Sequence, residues 1–269
     1  MKRLVHMNRG SKSLSVLRWR RHVPQQGLTM VELLVAMTLG LVILLAIGSV
    51  YLGSRATYRI QEDNARLQET GRYALEVLGR SVRQAGYWNI PISPVSNATA
   101  FGGTAITGTD GASGAPDTVT VQYDGLAGDR DCEGNTLAAN AIVQDAYRLN
   151  GNDLQCDGNA DGTVDPQTLV SDIEDVQILY GIDTNNDQSV DQYVAAPTDW
   201  NQVYSARICV LARSPNSVNN APQRFLNCGG ALGTSTGTAA FTTAGASDLR
   251  LRRVFVATYS LRNRITNLP

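Results

Sequence analysis

From Leu28 to about Gly86 the chain contains no proline, and its apolar positions follow two patterns in succession. Leu33 to Leu52 is apolar all round, built from Leu, Val, Ile, Ala, Met, Tyr, Gly, Thr and Ser, with no charge. About 20 such residues, at 1.5 Å rise each, span the ~30 Å hydrocarbon core of a bilayer. Further on, Leu67, Ala74, Leu75, Leu78, Val82 and Ala85 recur at helical spacing, and Arg66, Glu69, Arg72, Glu76, Arg80 and Arg83 fill the positions between. That is an amphipathic helix. Glu69 with Arg72 and Glu76 with Arg80 are spaced for ion pairs worth about 0.2–0.5 kcal/mol each. The two patterns join without a break signal, so the expectation is one helix of about 60 residues, roughly 90 Å long. Its first half has to lie in lipid or in a protein bundle, and its second half has one stripe to pack on a globular head. Gly86, with Pro91 soon after, ends it. Gly48 and Gly53 are the points where it bends most easily.

Beyond the helix the period changes. Residues 92–116 are rich in Gly, Ser, Thr, Ala and Pro and read as a long loop. Asp117–Asp124 alternates Val119, Val121 and Tyr123 on one face, which predicts a strand. Ile142–Leu149, Val176–Ile182, Ala206–Ala212 and Arg253–Arg262 are the other strand candidates. Gly229–Ser247, uncharged and poor in apolar bulk, reads as a surface loop. The fold class that follows is α+β: a long N-terminal helix packed on a mostly antiparallel β-sheet head. The expected division is a basic leader at 1–27, a membrane or filament-core helix at 28–53, its amphipathic continuation at 54–88, and a β-rich head at 89–269. Trp88 and Trp200 are expected to pack rather than to stack on a ligand.

Charge sharpens this division. The net charge of −1 hides seven basic residues and no acid within residues 1–27, namely Lys2, Arg3, Arg9, Lys12, Arg18, Arg20 and Arg21. What remains is 16 basic against 24 acidic residues, a balance of −8 over residues 28–269. A basic leader before an apolar span places the N-terminus in the cytoplasm and the acidic head across the membrane. The same acidic body argues against nucleic-acid binding, which needs clustered Lys and Arg. Cys132, Cys156, Cys209 and Cys228 all follow the apolar span, and an even number in an exported domain predicts disulfides. Of three connectivities, Cys132–Cys156 with Cys209–Cys228 closes the shortest loops and is the expected one. No C-x-x-C pair is present, which argues against a zinc or redox motif.

Three features bear on chemistry. Glu32 is a lone carboxylate at the edge of the apolar run, where an ionisable group is expensive and therefore points to function. Two acidic segments share a spacing: Asp157, Asn159, Asp161, Thr163 and Asp165, and Asp183, Asn185, Asp187, Ser189 and Asp191. Oxygen side chains at positions one, three, five and nine match the first nine positions of a calcium loop. Gly162 keeps the sharp-turn position in the first loop and Gln188 replaces it in the second. Thr168 and Val194 stand where a terminal glutamate would complete each site, and no flanking helix pair is evident, so neither loop is an EF-hand. Calcium is the cofactor these loops suggest, and ordinary turns between strands are the other reading. The only histidines, His6 and His22, lie in the leader, which excludes a histidine-based triad in the head, and no phosphate-binding glycine loop occurs. The expectation is a protein that is not an enzyme.

Gly27-Leu-Thr-Met-Val-Glu-Leu-Leu-Val-Ala-Met37 resembles the class III signal of type IV pilins and pseudopilins. Leu28 stands where phenylalanine is usual, and Gln25-Gln26 replaces the usual basic residue. Leu67–Glu76, Arg83–Trp88 and Asp175–Asn185 are similar to the PilW group of minor pilins. The resemblance implies that prepilin peptidase cleaves between Gly27 and Leu28 and methylates the new amine. It also implies that Glu32 pairs with the amine of a neighbouring subunit during assembly. Implied partners are the major pilin, other minor pilins, the peptidase and the inner membrane. The implied route is a single-pass inner-membrane protein with its head in the periplasm, then a pilus at the cell surface. The function implied is a minor pilin that primes or caps a type IV pilus. A GspJ-like pseudopilin of a type II secretion system is the alternative, and an adhesin or DNA-uptake pilin is the third reading.

Overall fold

The computed structural model describes residues 27–89 and 101–263. The basic leader up to residue 26, Pro91 and the first part of the expected 92–116 loop lie outside the described residues. The chain divides into two compact units, Met1–Leu52 and Gly53–Pro269.

One helix, α1 (Met30–Gln84, 55 residues), runs through both patterns without interruption. Up to Leu52 every large apolar side chain is exposed, for example Leu44 at 70 % and Val50 at 68 %. Thr38, Ser49 and Thr57 return their hydroxyls to the carbonyls of Val35, Ala46 and Gly53, so the polar atoms of this stretch are satisfied within the helix. From Asp63 onward a stripe is buried: Asp63, Leu67, Gly71, Ala74, Leu75, Leu78, Gly79, Ser81 and Val82. The helix ends through Gly86, whose positive φ of 70° turns the chain. The Gly86 amide donates to the Gln122 carbonyl at 2.8 Å, and Asn263 Nδ2 donates to the carbonyls of Arg83, Gln84 and Ala85. Ion pairs on this helix include Glu62–Arg66 at 2.8 Å and Glu76–Arg83 at 3.2 Å. Among the described residues Glu69–Arg72 and Glu76–Arg80 do not form: Glu76 reaches two turns ahead to Arg83, which also lies over the Tyr259 ring.

The head contains two antiparallel sheets. The first is a five-stranded meander in the order β1 (Ile106–Thr109), β2 (Thr118–Gly125), β3 (Ala141–Asn150), β4 (Asp153–Gly158), β5 (Gln167–Ser171). The second has β6 (Ile173–Ile182), β7 (Gln192–Val194), β8 (Val203–Ser217) and β11 (Arg250–Ser260) in the order β11-β8-β6-β7. A two-stranded ribbon pairs β9 (Arg224–Leu226) with β10 (Phe241–Thr243). The stretch expected as a loop at 92–116 thus contains β1. β4 and β5 also lie outside the strands expected from the sequence, although Leu154 and Cys156 alternate with Asp153, Gln155 and Asp157 in the strand period.

The main core joins the α1 stripe to both sheets: Leu78 and Val82 share it with Val121, Val143 and Leu154 of the first sheet and Ile178, Ile208 and Val210 of the second. Ser81 Oγ and Tyr147 Oη lie 2.6 Å apart across it. A second cluster forms on the other face of the second sheet from Leu179, Cys209, Leu211, Phe225, Cys228 and Leu232. β8 is therefore buried on both faces, which is why Ala206–Ala212 reads as a nearly continuous apolar run rather than an alternation. The segment expected as a surface loop, Gly229–Ser247, supplies part of this cover. It holds most of a short helix α2 (Cys228–Leu232) and all of β10. The Asn227 side chain caps α2 by accepting from the Gly230 amide, and the Cys209–Cys228 disulfide fastens it to β8. The second disulfide, Cys132–Cys156, ties a turn after β2 to β4.

Two glycines set how closely α1 approaches β11. An added Cβ would stand 2.2 Å from the Phe255 ring at Gly71 and 2.3 Å from the Tyr259 ring at Gly79. The aromatic rings occupy the space that side chains would fill, and Tyr259 Oη donates to the Leu75 carbonyl at 2.9 Å. Trp200 packs edge-on against Tyr180, with centroids 4.9 Å apart.

Candidate functional site

The first candidate is the start of α1. Gly27, Leu28 and Thr29 precede the helix, and Leu28 is 75 % exposed. Thr29 is the cap: its Oγ1 accepts from the Glu32 amide at 3.3 Å, and its carbonyl accepts the first intrahelical bond from Leu33. Thr29-Met-Val-Glu32 has the spacing of a capping box, a signal in the sequence that points to Thr29 as the cap. Only the threonine half forms. The Glu32 carboxylate does not fold back onto the Thr29 amide and has no partner in this chain among the described residues. It projects from the first turn of an apolar helix, free for a positive charge that another chain could bring.

The second candidate is the pair of acidic loops. The first follows β4. Asp157 is on the strand, and Asn159 is taken up by β3, accepting from the Gln144 amide at 2.9 Å and donating to the Ile142 carbonyl at 3.0 Å. Asp161 is exposed and held by the amide and hydroxyl of Thr163, which keep its carboxyl below the usual range. The Thr163 hydroxyl also reaches Asp165 Oδ1 at 2.8 Å. A residue that the spacing did not single out joins them: Glu133, in the turn anchored by the Cys132–Cys156 disulfide. Carboxylate oxygens of Glu133, Asp161 and Asp165 lie within 4.8 Å of one another. The buried Asp131 fixes the turn, accepting from the Glu133 and Asn135 amides through Oδ1 and from the Ala160 amide through Oδ2. Burial, then the charges of Asp165, Asp131 and Asp157, push the Glu133 carboxyl up.

The second loop, between β6 and β7, is organised differently. Asp183 is fully buried and accepts three amides, from Asn185 and Asn186 through Oδ1 and from Gln188 through Oδ2. Asp191 accepts from the Thr184 amide and hydroxyl, and Asp187 from the Ser189 amide and hydroxyl. Those bonds hold both carboxyls below the usual range. Gln188 has φ 67° and Gly162 has φ 74°, so the two loops make the same left-handed turn even where the glycine is replaced.

Comparison with known proteins adds three findings. A family model for the prokaryotic N-terminal methylation motif matches residues 24–48. A family model described as Type IV Pilus-assembly protein W matches residues 140–263, from β3 to the last described residue. Among solved structures a type IV-like pilin from Thermus thermophilus is similar at 17 % identity and a TM-score of 0.44, over 74 % of this chain and 97 % of that one. No curated protein matches.

Proposed function

We propose that this chain is a type IV pilin of the PilW type, a minor pilin that enters the filament through α1 and primes assembly or sits at the tip, because it carries both the methylation motif at the head of an apolar helix and a PilW-type region in its head. The observation that carries this reading is Glu32, a carboxylate without a partner among the described residues, four residues after Leu28. Cleavage of that bond by prepilin peptidase creates a cationic amine at Leu28, and methylation leaves it cationic. Glu32 of one subunit then meets the amine of its neighbour in a low-dielectric surround. There an unpaired charge is costly and a paired one sets the register between subunits.

Apolar packing completes the step. Ala36, Gly40, Ala46 and Gly48 allow close approach of neighbouring helices, with major and other minor pilins as partners. Before assembly the apolar half anchors the chain in the inner membrane, leader on the cytoplasmic side and head in the periplasm. The role is architectural rather than catalytic. The PilW-type match favours the pilus over a GspJ-like secretion pseudopilin.

A deletion scored for surface pili and for protein secretion tests the assignment. Lost pili with normal secretion supports it, and the reverse result overturns it. Glu32→Val is expected to insert normally in the membrane and to fall at least tenfold in filament incorporation, measured by immunoblot of sheared pili, as an unpaired neighbour amine is left behind. Wild-type incorporation of that variant would remove the pairing role. Mass spectrometry of the native N-terminus should find N-methyl-leucine at Leu28.

A further inference from the structure

From the open edge of β11 we infer that a neighbouring subunit adds an extended strand with acidic side chains to the second sheet, along residues 254–260. This inference rests on the filament reading above and names the surface and the chemistry of one contact within it.

β11 is an outer strand of its sheet and pairs only with β8. Its register is unbroken from Arg252↔Arg213 to Ser260↔Ser205, so successive residues turn their backbone groups alternately toward β8 and away from it. Both ends fix which residues face outward. The Arg252 amide donates to Gln223 Oε1 at 2.7 Å, and its carbonyl accepts from Gln223 Nε2 at 3.0 Å. The Leu261 amide donates to the Tyr204 carbonyl of β8 at 2.9 Å. Even-numbered residues therefore face outward, and the Gln223 side chain stands in for a partner strand at the first of them. At Val254, Val256, Thr258 and Ser260 the outward amides and carbonyls have no partner among the described residues. Val256 is 42 % exposed, and Thr258 and Ser260 are exposed as well. Such a row of unpaired groups is a template for another strand. The remaining outer strands of the two large sheets are guarded: β1 has four residues, β7 has three, and β5 meets β4 with a register shift. Residues 254–260 contain no proline, glycine or charge that would blunt the edge.

Charge specifies the occupant. Residues 249–263 hold four arginines and no acid, although acids outnumber bases over residues 28–269. Glu174 and Asp248 neutralise Arg252. Arg253 and Arg262 flank the open stretch, are exposed, and form no ion pair among the described residues. Opposite charges across a strand pair are favourable and like charges are not, so the added strand carries Asp or Glu beside these two arginines. A second copy of β11 does not fit, because it would bring four more arginines to the same edge. Antiparallel pairing of two copies would also reverse their helices. β11 runs alongside α1 in the same direction, with Phe255 against Gly71 and Tyr259 against Gly79, a step of about 13 Å on the strand and about 12 Å on the helix. Subunits of one filament share one polarity, so the strand comes from a different pilin. A polyanion would answer the arginines and leave the outward amides and carbonyls unpaired, which favours a polypeptide.

Proline placed by parity tests this. Val256→Pro removes an outward N–H and leaves the ladder to β8 intact, so the full chain in detergent should melt with the wild type. Its incorporation into sheared pili should fall roughly tenfold or more, while Val256→Thr incorporates normally. Ala257→Pro, one residue on, removes an N–H that faces β8 and should lower the Tm. Amide exchange of the wild-type chain is independent of any variant: the Val256 and Thr258 amides should exchange freely in detergent and about tenfold or more slowly in pili. Arg253→Glu should lower incorporation roughly threefold or more, and Arg253→Lys should not. Exchange that stays fast in pili overturns the added strand, as does wild-type incorporation of Val256→Pro. A loss with Arg253→Glu alone overturns it in favour of a partner that reads only charge, and wild-type incorporation of Arg253→Glu overturns the acidic partner. Absence of the wild-type chain from pili is a separate result, which overturns the filament reading itself.

Discussion

The two halves of α1 obey the same helical geometry and solve opposite problems. Between Leu33 and Leu52 the apolar side chains point in every direction and none of the large ones is buried within the chain. Between Asp63 and Val82 apolar and small residues fall on one stripe, and that stripe is covered by the chain's own sheets. A helix buries its own stripe against its own domain, and a helix apolar on all sides needs a partner from outside, lipid first and then other helices. Glycines show the same contrast. Gly40 and Gly48 have open space around them, whereas Gly71 and Gly79 face aromatic rings at distances that no side chain tolerates.

The largest test of this contrast compares leucines. Leu78 is 1 % exposed and Leu44 is 70 % exposed. Leu78→Ala should cost about 2–5 kcal/mol in guanidinium unfolding of the head, by lost transfer energy plus the cavity left behind. Leu44→Ala should leave that transition unchanged, and an equal loss at both positions would break the comparison. Glycines give a smaller effect with a change of sign. Gly79→Ala should destabilise by about 1–3 kcal/mol through overlap with Tyr259. Gly48→Ala should instead favour the helix by up to about 1 kcal/mol, read as helicity by circular dichroism in detergent.

The smallest effect is a pH dependence confined to the head. Burial pushes the carboxyls of Asp117 and Asp145 up to about 6. In the unfolded chain they titrate near ~3.9. Between those values the folded state holds protons that the unfolded state has released, so stability falls as pH rises from about 4 to about 6. Below about 4 the sign reverses, because Asp161, Asp187, Asp191 and Asp248 have lowered folded values and lose their bonds on protonation. Melting temperature against pH should therefore peak near about 4, and Asp145→Asn should flatten its upper side.

Much of the helix was legible because its determinants are local. The period of 3.6, the missing prolines and Gly86 are properties of neighbouring residues, and the buried positions Leu67, Ala74, Leu75, Leu78, Val82 and Ala85 follow from them. The longer strands were legible for the same reason: Val119, Val121 and Tyr123 alternate, and they are buried on one face of β2. Gly71 and Gly79 were not legible as packing residues, since a glycine carries no apolar signal and its value lies in the Phe255 and Tyr259 rings that arrive from nearly 200 residues away. α2 and β10 were not legible because small residues such as Ala231, Ala240 and Ala244 carry little apolar signal and find cover only where the Cys209–Cys228 disulfide fastens their segment to β8.

The acidic loops divide along the same line. Spacing alone placed oxygen side chains in both loops and could not distinguish them. Sequence by itself determined the methylation motif around Gly27 and Leu28, the charge at Glu32, the long helix and its two faces, because each depends on residues within a few turns of one another. Tertiary structure decided that Asn159 is spent on β3, that Asp183 is satisfied by its own turn, and that Glu133 crosses from another segment. Those outcomes depend on which donors the folded chain brings within 3 Å of each carboxylate, and that distance is set by strand pairing and a disulfide rather than by separation along the chain.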